Sequence, residues 1–339
     1  MEAFIEGIVS ELSLIALFAI IAITLYILSK GADLLVNEAV VLSEQMGIPK
    51  MIIGATIVSL GTTLPEASVS VVAALGGNSE LALGNAVGSV ICDTGLILGI
   101  AALISPLPIQ REIVNRHGWL QFGAGILLVL VSLPFTSLNS IFTNGGHISR
   151  IAGFILVFLL VMYIYFSIKW ARNSKDESTA VAVDVEKEDN NVMALVKLIF
   201  GVAIVIISSK ILIPTVQETA IRLNVPNSVI AATLVAFGTS LPELVTSVTA
   251  VLKGHGELAI GNVIGADILN ILFVVGSAAA FGSGGITVTP NFFKLYFPAM
   301  LFILTVFRIG TLISKDSLKR TFGLILFGTY IVISILSYA

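Results

Sequence analysis

About ten stretches of roughly twenty apolar residues follow one another along this 339-residue chain, and that series most constrains its fold. A stretch of about twenty such residues crosses the ~30 Å hydrocarbon core of a bilayer as a helix. Hydrophobic residues make up 56% of the chain and charged residues only 12%, about half the ~25% charge of a soluble domain. In lipid every backbone polar group must find its partner within the protein, which leaves helices or a closed barrel. A barrel would alternate in strands of ~10 residues, and no such alternation occurs. The expectation is an all-α integral membrane protein.

Hydropathy, punctuated by Gly, Pro and charge, places the spans at 12–44, 50–75, 80–104, 119–134 and 149–171. After a polar break they resume at 192–222, 227–252, 257–281, 291–308 and 320–338. Twelve Lys and Arg residues, Lys50, Arg111, Lys253 and Lys319 among them, fall on one side of this layout. Arg150, Arg222 and Lys294 fall on the other. The positive-inside bias makes the first side cytoplasmic, and predicts a multi-pass plasma-membrane protein with both termini extracellular. Residues 171–191, ARNSKDESTAVAVDVEKEDNN, read as a solvated cytoplasmic linker. The predicted organisation is therefore 1–170, a 171–191 linker, and 192–339. The acidic start, MEAFIEGIVSELS, lacks the basic region of a cleaved signal peptide. The lone Cys92 excludes an internal disulfide, and a net charge of −3 gives no sign of a nucleic-acid partner.

The two halves are copies. Residues 49–102 and 226–279 align without gaps at an offset of 177, with 25 identities in 54 positions. Each half holds five spans, an odd number, so the second copy enters the membrane upside down. Inverted repeats of this kind mark secondary transporters, whose sites form at the midplane where broken helices of the two halves meet.

Both copies place a proline and a carboxylate inside an apolar span, as GTTLPEASVS (61–70) and GTSLPELVTS (238–247). Ser59, Thr62, Thr63, Glu66 and Ser70 recur at helical spacing and form one polar stripe. Pro65 has no N–H to give the Gly61 carbonyl, which is freed beside Glu66. Hydroxyls, a free carbonyl and a carboxylate are the hard oxygen donors that Ca²⁺ takes. Thr239, Ser240, Glu243 and Ser247 repeat the set around Pro242. The next span of each half opens with GNAVGSVICD (84–93) or GNVIGADILN (261–270). Ser89 and Asp93 lie one turn apart and aim toward Glu66; Ala266 and Asn270 take their places in the second copy, with Asp267 one position along. A proline alone reads as a kink, and small residues four apart as close packing. A carboxylate in the membrane costs ~3 kcal/mol or more, so cation binding or proton relay is its default reading. Asp33, Asn37 and Glu38 read as an interfacial or cavity-facing surface, and His117, His147 and His255 as loop residues.

These paired motifs resemble the two α-repeats of the sodium/calcium exchanger family, within the cation/calcium antiporter superfamily. The resemblance implies ten helices in two inverted five-helix repeats, and no enzymatic activity or resident cofactor. It implies transported Ca²⁺ and Na⁺ bound between spans 2, 3, 7 and 8. Glu66 and Glu243 would be the shared central carboxylates, with Thr62, Thr239 and the backbone carbonyls of Ser59 and Ala236 beside them. Ser89 would complete an outer Na⁺ site, and Asp93 with Asn270 the middle pair. Spans 1 and 6 would slide across this core. Ala266 departs from the pattern, which carries Ser there; either Asp267 compensates through a slight rotation of its helix or that outer Na⁺ site is weak.

The expected function is Na⁺/Ca²⁺ antiport by alternating access, in a monomer. H⁺/Ca²⁺ antiport on the same fold and a K⁺-dependent exchanger stay open as alternatives. A cation channel fits inverted repeats poorly, and a hydrolase would need a motif such as GxSxG or HExxH, neither of which occurs.

Overall fold

The computed structural model describes residues 2–135, 138–173, 191–224, 238–282 and 284–338. It is helical almost throughout. A short helix, α1 (Glu2–Glu11), precedes α2 (Leu14–Met46), whose 33 residues rise about 50 Å. Ser13 caps the start of α2 by accepting the Ala16 N–H, and Gly47, at φ 60°, ends it in a left-handed turn. The second span is broken: α3 (Lys50–Thr62) and α4 (Leu64–Leu75) meet at an angle of 46°. Next come α5 (Ser79–Ile104), α6 (Arg111–Ser132) and α7 (Arg150–Asn173). In the second half, α8 (Asn191–Arg222) matches α2 and α9 (Leu241–Leu252) matches α4. They are followed by α10 (Gly256–Phe281), α11 (Phe292–Ile313) and α12 (Arg320–Tyr338).

Nine of the ten predicted spans appear as helices close to their predicted bounds. The tenth, 227–252, is seen as α9, its earlier part lying outside the described residues. Two boundaries moved: α6 begins at Arg111, eight residues before the predicted 119, and α11 runs to Ile313, five beyond the predicted 308. The first turns of α6 carry Arg111, Glu112 and Arg116, which depress any hydropathy window without opposing helix. His117 therefore lies buried inside α6, not in a loop.

The polarity of the molecule is turned inside out relative to a soluble protein. Glu66, Asp93, Glu243, Asp267 and Asn270 are buried, while Ile15, Phe18 and Tyr26 of α2, Phe158 of α7 and Phe200 of α8 are exposed. Lipid, which is as apolar as those side chains, is the solvent that suits such a surface.

Two short strand pairs report how the halves are related. β1 (Leu107–Pro108), after the third span, pairs antiparallel with β4 (Ser317–Leu318), before the tenth. β2 (Gly146–Ile148), before the fifth span, pairs with β3 (Ile286–Val288), after the eighth. Each pair joins the third connector of one half to the fourth connector of the other. Those connectors share a membrane face only if one half is inverted.

Close backbone approach brings α3 and α10 together. A Cβ added at Gly261 would fall 2.0 Å from the Met51 carbonyl oxygen, and one at Gly54 would fall 2.5 Å from that of Leu258. Outside this core, α2 and α8 pack on each other reciprocally. Gly31 faces Ile204 and Val205, and Gly201 faces the backbone of Leu35.

Candidate cation site

The break after Thr62 puts Pro65 and Glu66 in the first turn of α4, where a missing proline N–H leaves no helix bond unmade. Pro242 and Glu243 stand likewise at the start of α9, after the turn at Gly238, Thr239 and Ser240. Both carboxylates thus sit at the positive ends of helix dipoles. The helices that follow supply the third side. Asp93 and Asn270 each open a π-helical segment, Asp93–Ile97 in α5 and Asn270–Val275 in α10, a local widening frequent at functional sites.

These elements bring Glu66, Glu243, Asp93 and Asn270 together. Thr63 Oγ1 donates to Glu243 Oε1 at 3.2 Å, from one half to the other. Asn270 Nδ2 points at Asp93 Oδ2 from 3.5 Å. The Glu66 carboxylate lies close enough to Glu243 and Asp93 to feel their charge, and the Ser240 hydroxyl sits beside it unbonded. Among the described residues, both oxygens of Glu66, Oδ1 of Asp93, Oε2 of Glu243 and Oδ1 of Asn270 are buried without a hydrogen-bond partner. Buried polar atoms are ordinarily paired. Four of these five unpaired oxygens belong to carboxylates and the fifth to an amide, the hard donor types that Ca²⁺ takes.

The other predicted residues surround this cluster. Thr62 Oγ1 donates to the Ser59 carbonyl (3.3 Å), which also takes the Thr63 N–H (2.9 Å). The Ser59 hydroxyl donates to the Thr56 carbonyl (3.4 Å). Thr239 Oγ1 donates to Asn85 Oδ1 (3.1 Å), and Ser89 is buried one turn before Asp93. Ala236 lies outside the described residues. Asp267 is turned elsewhere, its Oδ2 accepting from Thr94 Oγ1 and Gln121 Nε2.

Sequence reasoning missed four partners. Asn85 Nδ2 donates to Ser70 Oγ (3.0 Å) and to the Glu66 carbonyl (3.2 Å). Asn262 repeats the contact on Ser247 (3.1 Å) in the other half. The signal was present, since an Asn follows the first Gly of both third-span motifs. Tyr163 of α7 donates to the Ala55 carbonyl (3.2 Å) in the π-helical part of α3, and pairs with His117 Nδ1 (3.1 Å). No motif marked either residue. At the edge of the core, Lys253 pairs with Asp33 (3.0 Å) and Asn37 (2.9 Å), and Lys197 with Glu38 (3.9 Å). Asp33, Asn37 and Glu38 are thus engaged by lysines of the second half.

The family model described as "Sodium/calcium exchanger protein" matches residues 16–169 and 193–339. The inner membrane protein YrbG of Escherichia coli K12 is 32% identical over 319 residues, covering 93% of this chain and 94% of that protein. The sodium/calcium exchanger MaX1 of Methanosarcina acetivorans is 28% identical over 343 residues, covering 93% and 96%. The solved structure of the sodium-calcium exchanger NCX_Mj soaked with 10 mM Na⁺ superposes with a TM-score of 0.79 at 25% identity, over 96% of this chain and all of that one. The chain belongs to the sodium/calcium exchanger family.

Proposed function

We propose that this protein is a secondary active antiporter that exchanges Na⁺ for Ca²⁺ across the plasma membrane by alternating access. The observation that carries the reading is the set of unpaired oxygens on Glu66, Glu243, Asp93 and Asn270. Three carboxylates enclosed together hold up to three negative charges, and each unpaired buried ion costs several kcal/mol. One Ca²⁺ or several Na⁺ ions relieve that cost, and the same oxygens cannot serve both loads at once. Competition for one cage is the physical basis of exchange. Thr62, Thr239, Ser89, Ser240 and the Ser59 and Ala236 carbonyls complete the ligand shells around it.

The α2–α8 pair, closely packed within itself and facing lipid, is the element that moves across the core. The halves 1–170 and 192–339 supply the two equivalent, inverted walls. Both termini face outward, and the unit is a single chain. Purified protein in proteoliposomes should take up ⁴⁵Ca²⁺ when loaded internally with Na⁺ and diluted into Na⁺-free buffer. Absence of uptake under a Na⁺ gradient, together with robust uptake under a pH gradient, would replace Na⁺ with H⁺ as the coupling ion.

A further inference from the structure

Asp267 breaks the twofold pattern of the site. Its equivalent in the first half, 177 positions earlier, is Val90, so this carboxylate has no mirror image. It is fully buried on α10. Its Oδ2 accepts from Thr94 Oγ1 of α5 and Gln121 Nε2 of α6, while Oδ1 has no partner. Gln121 Nε2 also reaches Thr94 Oγ1, at 3.3 Å, so three helices converge on one group. No Lys, Arg or His among the described residues neutralises it.

We infer that Asp267, Thr94 and Gln121 form a Na⁺ site of their own, beside the central cage and outside its symmetry. The charge argument selects a monovalent ion: one carboxylate with two neutral side chains balances one positive charge and leaves Ca²⁺ undercompensated. The donor count agrees. Two carboxylate oxygens, the Thr94 hydroxyl and the Gln121 amide oxygen, turned inward by rotation of its terminal amide, give about four ligands, fewer than the 6–8 oxygens Ca²⁺ takes. The site also answers the departure at Ala266, which puts a methyl group where the first half has the Ser89 hydroxyl. The Na⁺ held less well at the Ala266 position is held instead at this separate place, by a full charge in place of a hydroxyl. Asp267 lies near enough to Asp93 for the two charges to repel, so a Na⁺ ion at Asp267 eases the loading of the cage.

The inference rests on the Na⁺ coupling proposed above, and the test separates the two. Na⁺-driven and Ca²⁺-driven ⁴⁵Ca²⁺ exchange are measured in proteoliposomes with wild type, Asp267→Asn and Gln121→Leu, across Na⁺ concentration at two pH values. Wild type without Na⁺-driven flux defeats the coupling itself. With coupling intact, Asp267→Asn is expected to lower the Hill coefficient for Na⁺ by about one and raise half-saturating Na⁺ at least fivefold. Gln121→Leu is expected to raise half-saturating Na⁺ by a larger factor than it lowers Ca²⁺/Ca²⁺ exchange. Unchanged Na⁺ dependence in both variants would overturn the site. So would equal losses of Na⁺-driven and Ca²⁺/Ca²⁺ exchange, or a variant effect confined to pH dependence, which would make the occupant a proton.

Discussion

Thr63 of the first half donates a hydrogen bond to the Glu243 carboxylate of the second, 3.2 Å away. The equivalent contact, Ser240 with Glu66, is left unmade, and the Ser240 hydroxyl is buried without a partner. Glu243 is tied to the other half through Oε1, while neither oxygen of the buried Glu66 carboxylate has a hydrogen-bond partner. The two glutamates are equivalent in position and unlike in their hydrogen bonds.

Removing the held contact loosens Glu243. A hydrogen bond to a charged group contributes about 1.5–3 kcal/mol, so Thr63→Val should weaken half-saturating Ca²⁺ in flux assays by about tenfold or more. Thr63→Ser, which keeps the hydroxyl, should stay close to wild type. Loss in Thr63→Ser with Thr63→Val close to wild type would mean that the methyl group, not the hydrogen bond, matters.

The two glutamates carry the largest effects. Glu66→Gln and Glu243→Gln each leave the shape and remove a charge, and breaking a buried charge partnership costs about 3–5 kcal/mol. Ca²⁺ flux should fall at least about 100-fold in either variant, with folding verified by size-exclusion chromatography. Near-normal flux in either one contradicts the cage.

Asp93 and Asn270 occupy equivalent positions and face each other at 3.5 Å. Moving the charge across the pseudo-twofold axis should therefore be tolerated. Asp93→Asn alone should sharply weaken Ca²⁺ transport, while the double variant Asp93→Asn/Asn270→Asp should recover most of it. A double variant as weak as the single one would show that the two positions are not interchangeable.

Packing between α3 and α10 leaves no room at Gly261, where a Cβ would lie 2.0 Å from the Met51 carbonyl oxygen. Gly261→Ala should destabilise the detergent-solubilised protein by about 1–3 kcal/mol or more, read as a lower thermal midpoint. Gly123 on α6 has nothing within 4 Å of an added Cβ, so Gly123→Ala should leave the midpoint unchanged or raise it.

Much of this architecture was legible because lipid enforces a simple code. Ten apolar stretches translate directly into spans, and a gapless internal repeat with an odd number of spans per half implies inversion, which the β1–β4 and β2–β3 pairings bear out. The Pro-Glu motifs led to Glu66 and Glu243, since a charge in an apolar span has few reasons to exist. The start of α6 was hidden, because Arg111, Glu112 and Arg116 form an amphipathic turn outside the hydrocarbon core. Asn85, Tyr163, Thr94 and Gln121 were hidden for another reason: they are neutral, cost little to place in a helix, and gain meaning only from neighbours far along the chain. The orientation of Asp267 toward α5 and α6, away from Glu66, is a tertiary fact that one-residue spacing cannot supply.

The central claim is that Ca²⁺ and Na⁺ compete for one set of oxygens. The direct measurement is equilibrium binding of ⁴⁵Ca²⁺ to the purified protein in detergent, titrated with Na⁺ at constant ionic strength. Displacement should be complete and steep, with a Hill coefficient above one, and excess Ca²⁺ should reverse it. Binding that persists at saturating Na⁺ would contradict a shared cage.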